Sequence, residues 1–415
     1  MPLAAYLDFL SRNARFAGFG FLAAFGSSFG QTYFIGVFGP HVQAEFALSH
    51  TDWGTLYMLG TLASAAVLPW SGRLIDRLDL RLYTVLVMLL LGLACLVTSR
   101  VAGVASLVVA VFLLRQSGQG LMSHIALTSM ARYFHAERGR AIALATTGFA
   151  AGEALLPFAA VAVIGVLGWR GTYQAIAVAV LALVPIVLWL AAGHGERHRL
   201  HVAAADAAAL DSMPVQRSWS RAEVLRDRRF WLLLPGLLAP ALIVTALFFH
   251  HLNIADAKGW SHAWVTGSYV VYAAVTTLVS VVCGALVDRL GALRLLPFML
   301  LPLVAALLVL WAFDTPWILW PYLALAGVNV GIAHTATSAM WAELYGTRHL
   351  GAIKSMAGAL GVFGSALGPI AMGALADRGM PIDRVCVVFA AYALGASVLM
   401  AVAVRGKPRV ATSPP

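Results

Sequence analysis

Charge is what this sequence has least of. Asp, Glu, Lys and Arg make up 11% of its 415 residues against 61% hydrophobic residues, and the mean hydropathy is +0.84. So few charges cannot cover a water-soluble globule, which places the chain in a lipid bilayer. Cysteine is nearly absent as well. Cys95, Cys283 and Cys386 sit in separate apolar runs, which excludes a disulfide framework or thiolate metal site and leaves buried thiols. The sequence also lacks an HExxH pair, a GxSxG turn and a nucleotide-phosphate loop, so no motif points to an enzyme, a metal or a cofactor. Long polar segments are missing with one exception, Gly193 to Arg229, whose HGERHRLH and RAEVLRDRR stretches cannot enter lipid. This segment reads as a linker, with a short amphipathic helix along Ser220 to Arg228.

What fills the rest is apolar sequence. Runs of about 20 residues, each long enough to cross some 30 Å of hydrocarbon as a helix, fall near 16–40, 53–72, 83–99, 104–131, 141–163 and 171–192. Six more lie near 230–253, 265–286, 295–313, 317–342, 352–374 and 385–404. The net charge of +10 would suggest nucleic acid for a soluble chain, but here the position of the basic residues matters, and no nucleic-acid partner is expected. Alternate connections divide them sharply. Twenty-two of the 28 Lys and Arg fall on one side, including the linker, five on the other, and Arg115 lies within a run. The positive-inside rule therefore expects both termini and the linker in the cytoplasm, as an even number of crossings requires. The segment before the first run carries Asp8, Arg12 and Arg15 and precedes a run too long for a signal-peptide core, so it is expected to lead into a retained helix.

The two halves repeat. GRLIDRLDLR, Gly72 to Arg81, returns as GALVDRLGALR, Gly284 to Arg294, at a spacing of 212 residues. The same spacing carries Ser49-His50 onto Ser261-His262, Tyr57 onto Tyr269, Gly139 onto Gly351, and the Gly152 to Pro157 segment onto Gly364 to Pro369. Agreement at one offset implies two equivalent six-helix units in the same orientation. The expected fold is an all-α membrane protein of twelve transmembrane helices in two pseudo-symmetric bundles. Its expected parts are residues 1–192, a linker 193–229, residues 230–404 and a tail 405–415.

This organisation and the repeated loop resemble the major facilitator superfamily over nearly the whole chain. The family's G-x-L-x-D-R-x-G-R signature between helices 2 and 3 is matched by Gly72, Leu74, Asp76 and Arg77, with Asp79 where the family has glycine; the second copy keeps that glycine as Gly291. The resemblance implies a secondary active transporter working by alternating access, with a small-molecule substrate. It assigns gating to Gly72, Asp76 and Arg77 and to Gly284, Asp288 and Arg289. A carboxylate at such a helix end can cap an opposing helix and hold the halves together. The competing reading, solvated charges that only set topology, stays open for Arg81 and Arg294.

Two charges lie deep in apolar runs, Arg115 on helix 4 and Glu153 on helix 5. An unpaired charge there costs at least about 2.5–3.5 kcal/mol, so each needs a partner or a wet cavity. Counted from their shared loop they lie at similar depth, and a pairing between them is expected, either as a static ion pair or as proton coupling. Arg115-Gln-Ser-Gly118-Gln-Gly120 resembles the family's proton-coupling arginine motif. On this reading Glu153 carries the proton, and Arg115 is its counter-charge or the anchor of a carboxylate-bearing solute. Helices 1, 4, 7 and 10 line the cavity in the family, which brings in Gln31, His124, His250, His251, Asn329 and His334, whereas Tyr33 and Trp341 read as packing aromatics. Gly148, Gly152, Gly361, Gly364 and Gly368 are expected to permit close helix contact, and Pro157 and Pro369 to kink helices 5 and 11.

The start of helix 5 resembles monocarboxylate and oxalate/formate-type carriers. The Gly-Pro pair of many drug exporters is missing, since Leu156 precedes Pro157. A carboxylate anion moved with protons is therefore the expected substrate, and export of an amphipathic compound the alternative. A non-transporting membrane sensor stands further behind, since the linker is short for an output domain. A monomer in the plasma membrane, a bacterial inner membrane, is expected.

Overall fold

In a computed structural model of the chain, the described residues are 2–134, 137–193, 195, 219–346 and 349–405, with side chains from Phe9 onward. Most of the expected linker and all of the tail but Arg405 lie outside them. Helices make up nearly all of the described residues, and no strand occurs among them. Nine helical stretches there are long and apolar enough to cross a membrane. One of these, Arg138–Leu190, has 53 residues and would span about 80 Å if straight. It turns at Gly168, where φ is +67, a backbone conformation open to glycine and costly for other residues. That break makes two crossings, and a broken first helix and the more polar His50–Gly72 bring the total to twelve.

In chain order the crossings are α1 (Pro2–Gly26, resumed as Thr32–Val37), α2 (His50–Gly72), α3 (Leu80–Ser99), α4 (Val104–Tyr133), α5 (138–167) and α6 (169–190). The second half holds α7 (Arg228–Phe249, resumed as His251–Lys258), α8 (His262–Leu290), α9 (Ala292–Ala312), α10 (Pro316–Tyr345), α11 (Leu350–Asp377) and α12 (Val385–Arg405). Before α7 runs the short helix Arg221–Arg226. Ser220 caps it in a reciprocal box with Glu223, which satisfies two end donors.

Small residues set the packing, because between apolar helices in lipid only close backbone approach gives a gain. A Cβ on Gly148 would lie 2.2 Å from the Phe21 carbonyl oxygen, and one on Gly152 would lie 1.9 Å from Ser28 Oγ, so α5 is pressed onto α1. The matching contact in the second half presses α11 onto α7, where a Cβ on Gly368 would lie 2.1 Å from the Leu242 carbonyl oxygen. Gly361 departs from expectation. Nothing stands within 4 Å of its Cβ position, and it borders open space.

The first helix of each half is interrupted. α1 passes through a 3-10 turn, Ser27–Gly30, and an extended residue at Gln31, while α7 is bent at His250. Tyr57 and Tyr269, 212 residues apart, hold the resumed segments: Tyr57 bonds Thr32 Oγ1, and the Tyr269 hydroxyl lies 3.0 Å from His251 Nδ1. The repeat thus extends from sequence into side-chain chemistry. At the turn between α5 and α6, Trp169 Nε1 donates to Glu45 at 2.8 Å. The Arg170 guanidinium beside Glu45, then that indole, hold its carboxyl below the usual carboxylate range.

Candidate functional site: a cavity between the bundles

A cavity of about 650 Å³ lies between the two bundles. It is bounded by Gln31 and the start of the resumed part of α1 (Thr32, Tyr33), by Glu153 of α5, and by residues of α7, α8, α10 and α11. Its walls run from Phe248 at one end to Trp341 and Lys354 near the arginine-rich ends of the helices. On the opposite face the bundles meet. A Cβ on Gly36 would lie 2.5 Å from the Phe248 carbonyl oxygen, Trp53 stacks on Phe249 at 5.2 Å, and Asn253 donates to Gln43 at 3.0 Å.

Glu153 is one of two charged side chains on the wall, and it forms no hydrogen bond or ion pair among the described residues. Lys354, the other, donates to Ser338 Oγ at 2.7 Å. It stands one turn into α11, near the arginine-rich end. The rest of the surface is mostly aliphatic, relieved by Thr245, Tyr272, Thr276, His334 and Thr337. His334 is exposed to this space, and Gln31 borders it where the α1 backbone is extended.

Arg115 does not meet Glu153, contrary to expectation. It is 1% exposed and absent from the cavity wall, and its Nη1 donates to the Gly30 carbonyl oxygen at 3.1 Å. The Tyr57 ring lies 5.2 Å from its guanidinium carbon. A depth count along the sequence fixes height in the membrane but not direction around the helix. α4 here is a π-helix, Arg115–Met122, and an extra residue per turn rotates the residues after it. The α1 break frees a carbonyl for the guanidinium. Gly118 and Gly30 permit the contact, since a Cβ on Gly118 would lie 2.5 Å from Gly30 N.

Four other expected cavity residues face elsewhere. Asn329 is fully buried and donates to the Met299 carbonyl oxygen at 2.7 Å, beside the 3-10 turn Leu296–Phe298. Five residues separate it from His334, which is about 140° around a helix, so one helix cannot present both to one space. His250 is also buried, and its Nε2–H donates to the Pro369 carbonyl oxygen at 2.9 Å on the closed face. Since a carbonyl only accepts, this bond fixes the proton on Nε2. His251 is bound to Tyr269, and His124 lies against Gly72, whose added Cβ would stand 3.7 Å from its ring. Tyr33 and Trp341, expected to be packing aromatics, both border the cavity, and Tyr33 donates to Ser28 Oγ at 2.8 Å.

A profile of the Major Facilitator Superfamily matches residues 20–369 and 268–415. The chain belongs to this superfamily. Among solved structures it is similar to a bacterial homologue of the human lysosomal transporter Spinster, in inward-facing and unoccupied form. That likeness covers 94% of each chain at 14% identity, with a TM-score of 0.64. The nucleoside transporter NupG is similar over 95% of this chain and 99% of its own, at 12% identity and a TM-score of 0.69. No curated protein sequence matches. At these identities the neighbours carry the fold, and the family carries membrane transport of small molecules.

The superfamily loops sit on the arginine-rich face, apart from the cavity. Asp76 pairs with Arg132 of α4, within its own bundle, and the same Arg132 donates to the Ile75 carbonyl oxygen at 3.2 Å. Arg77, Asp288 and Arg289 are exposed and make no ion pair among the described residues. Gly284 has nothing within 4 Å of its Cβ position. Among the described residues, then, none of Asp76, Arg77, Asp288 and Arg289 ties one bundle to the other. Asp79, which stands for the family glycine, is the N-cap of α3 and accepts from Arg81 N at 2.9 Å. In the second half, Gly291 takes φ +83 and Glu343 of α10 reaches over it to accept from Ala292 N at 2.9 Å.

Lys354 and the threonines of α7, α8 and α10 are the wall residues that sequence reasoning misses. Lys354 counts among the topology charges, although a lysine one turn into an apolar helix is a usable sign. The threonines carry no such mark, since threonine also satisfies itself on the helix backbone.

Proposed function

We propose that the chain is a proton-coupled secondary transporter of a small amphipathic organic solute, with Glu153 as the group at which proton and solute exchange. One observation carries this: Glu153 stands on the wall of a 650 Å³, mainly aliphatic cavity and forms no ion pair among the described residues. Holding a bare carboxylate there is costly, and either a proton or the cationic part of a solute removes the cost. Two ligands that relieve the same charge compete for it, which is the condition for exchange of one against the other. The apolar walls suit the rest of an amphipathic molecule.

The positive-inside rule supports placing the arginine-rich face and both termini in the cytoplasm, in a bacterial inner membrane. On that orientation the cavity opens inward and the closed face is external. A carboxylate moved with protons is the second reading. Lys354 favours it, as a cation at the mouth that could receive an anion, whereas Arg115 is bound to the α1 backbone away from the cavity.

Proteoliposomes containing a pH-sensitive dye test the proposal. Tetraphenylphosphonium added outside should drive proton movement, and Glu153→Gln should abolish it while leaving downhill exchange of the labelled cation. Proton movement driven by short-chain monocarboxylates alone would select the second reading. Wild-type proton coupling in Glu153→Gln would overturn the role of Glu153 under either.

A further inference from the structure

A third Gly-x-Leu-x-Asp-Arg occurs in the sequence besides the pair spaced 212 apart: Gly373-Ala-Leu-Ala-Asp377-Arg378, against Gly284-Ala-Leu-Val-Asp288-Arg289. It ends α11 on the closed face. There the Asp377 carboxylate accepts hydrogen bonds from the other bundle, from Thr51 N at 2.7 Å and from His50 N at 3.2 Å.

The donors of α2 account for why these two bonds are available. The first N–H groups of a helix have no partner within it. Ser49 and Asp52 form a reciprocal capping box, in which Ser49 Oγ accepts from Asp52 N and Asp52 accepts from Ser49 N. Between them, His50 N and Thr51 N are left, and Asp377 takes one with each carboxylate oxygen. The positive end of the α2 dipole adds to the attraction. Glycines place the two helices in this register. A Cβ on Gly373 would stand 2.5 Å from the His50 carbonyl, and one on Gly54 would stand 2.8 Å from the Ile370 backbone.

We propose that Asp377 is the latch of this face: its carboxylate holds α11 to α2 while the cavity is open on the arginine-rich side, and it lets go when the bundles rock. Its exposure suits that task, because water replaces both bonds on release and a contact broken in every cycle must be weak. The inference rests on the alternating access proposed above, but not on the solute or on Glu153.

The test is a distance measurement between spin labels at Ala44→Cys and Pro381→Cys, exposed positions on the closed face of either bundle, in full-length protein in liposomes. Asp377→Asn keeps the shape but turns an amide N–H toward a donor, and should raise the ratio of long to short distances about two- to fivefold. Asp377→Glu keeps both acceptors and should leave the ratio near wild type. Thr51→Pro removes the shorter of the two bonds at a helix start, where proline is tolerated, and should give a rise no larger than that of Asp377→Asn. It also reports independently of whether Asp377→Asn folds. The double variant should rise no further than Asp377→Asn alone. A monodisperse Asp377→Asn or Thr51→Pro protein with wild-type distances would overturn the latch, as would effects that multiply in the double variant. Because no solute is present, failure of the transport reading leaves the result intact.

Discussion

Arg115 donates to the carbonyl oxygen of Gly30 and not to the carboxylate it was expected to meet. The two deep charges of the chain are thereby split between tasks. The arginine holds a break in α1, and Glu153 faces the cavity with no ion pair among the described residues.

This separation makes a thermodynamic prediction. Arg115→Met leaves the Gly30 carbonyl without its donor in a dry setting and should cost about 1–3 kcal/mol, read as a lower unfolding temperature in detergent. Glu153→Gln should cost little. Their effects should add to within about 0.5 kcal/mol in the double variant, as for sites that share no partner. Rescue of Arg115→Met by Glu153→Gln would restore the ion pair.

Glycine substitutions should sort by what faces them. Gly148→Ala drives a methyl to within 2.2 Å of the Phe21 carbonyl oxygen, where a helix backbone cannot yield cheaply. A loss of about 1–3 kcal/mol is expected, as for overpacked cores. Gly361→Ala meets nothing within 4 Å and should unfold at the wild-type temperature. Equal gains at both positions would show that helix propensity, not contact, governs them.

The class, the twelve crossings and the two-fold repeat were legible because each is written in long stretches: hydropathy over some 20 residues and matches at one offset. The site was legible only in part. Gln31, Glu153 and His334 stand out as polar residues in apolar runs. Arg115 stands out equally, but its partner is a backbone carbonyl freed by a helix break, and backbone groups leave no trace in residue identity. Asn329 fails for a related reason, since its acceptor is the Met299 carbonyl. Tyr33 and Trp341 read as packing because an aromatic residue serves a wall and a core equally well.

Cysteine scanning should separate wall from core. Gln31→Cys and His334→Cys should react with a small charged thiol reagent applied from the arginine-rich side, since both border the cavity. Asn329→Cys should stay silent, being fully buried. The native cysteines are buried and should contribute little background. Labelling at Asn329 and none at His334 would require α10 to be rotated by a third of a turn or more.

The unequal loops should respond unequally to exchange. Asp79→Gly removes a side-chain cap but leaves a residue tolerated at that position, at a cost of a few tenths of a kcal/mol. Gly291→Asp forces a Cβ into φ +83 and toward the Glu343 carboxylate, which stands 3.2 Å from the Cβ position. Strain alone then costs about 1–3 kcal/mol, before the repulsion of two acids. Unfolding temperatures of the two variants should differ accordingly, with Gly291→Asp the lower.

Two aspartates of one motif, on opposite faces, should act against each other. Asp377 ties the bundles on the face that is closed here, and Asp76, now paired with Arg132 inside its own bundle, is free to serve the other bundle when the arginine-rich face closes. If the repeated motif gates that closure, Asp76→Asn should disfavour the state in which the arginine-rich face is shut, and so lower the long-distance population on the opposite face. Asp377→Asn should raise it. The two sites lie at opposite ends of α2, so their free energies should add. The double variant should then return to within about twofold of the wild-type ratio, given the modest worth of each exposed contact. The labels at positions 44 and 381 measure this directly. A double variant that matches Asp377→Asn would mean that Asp76 only sets topology.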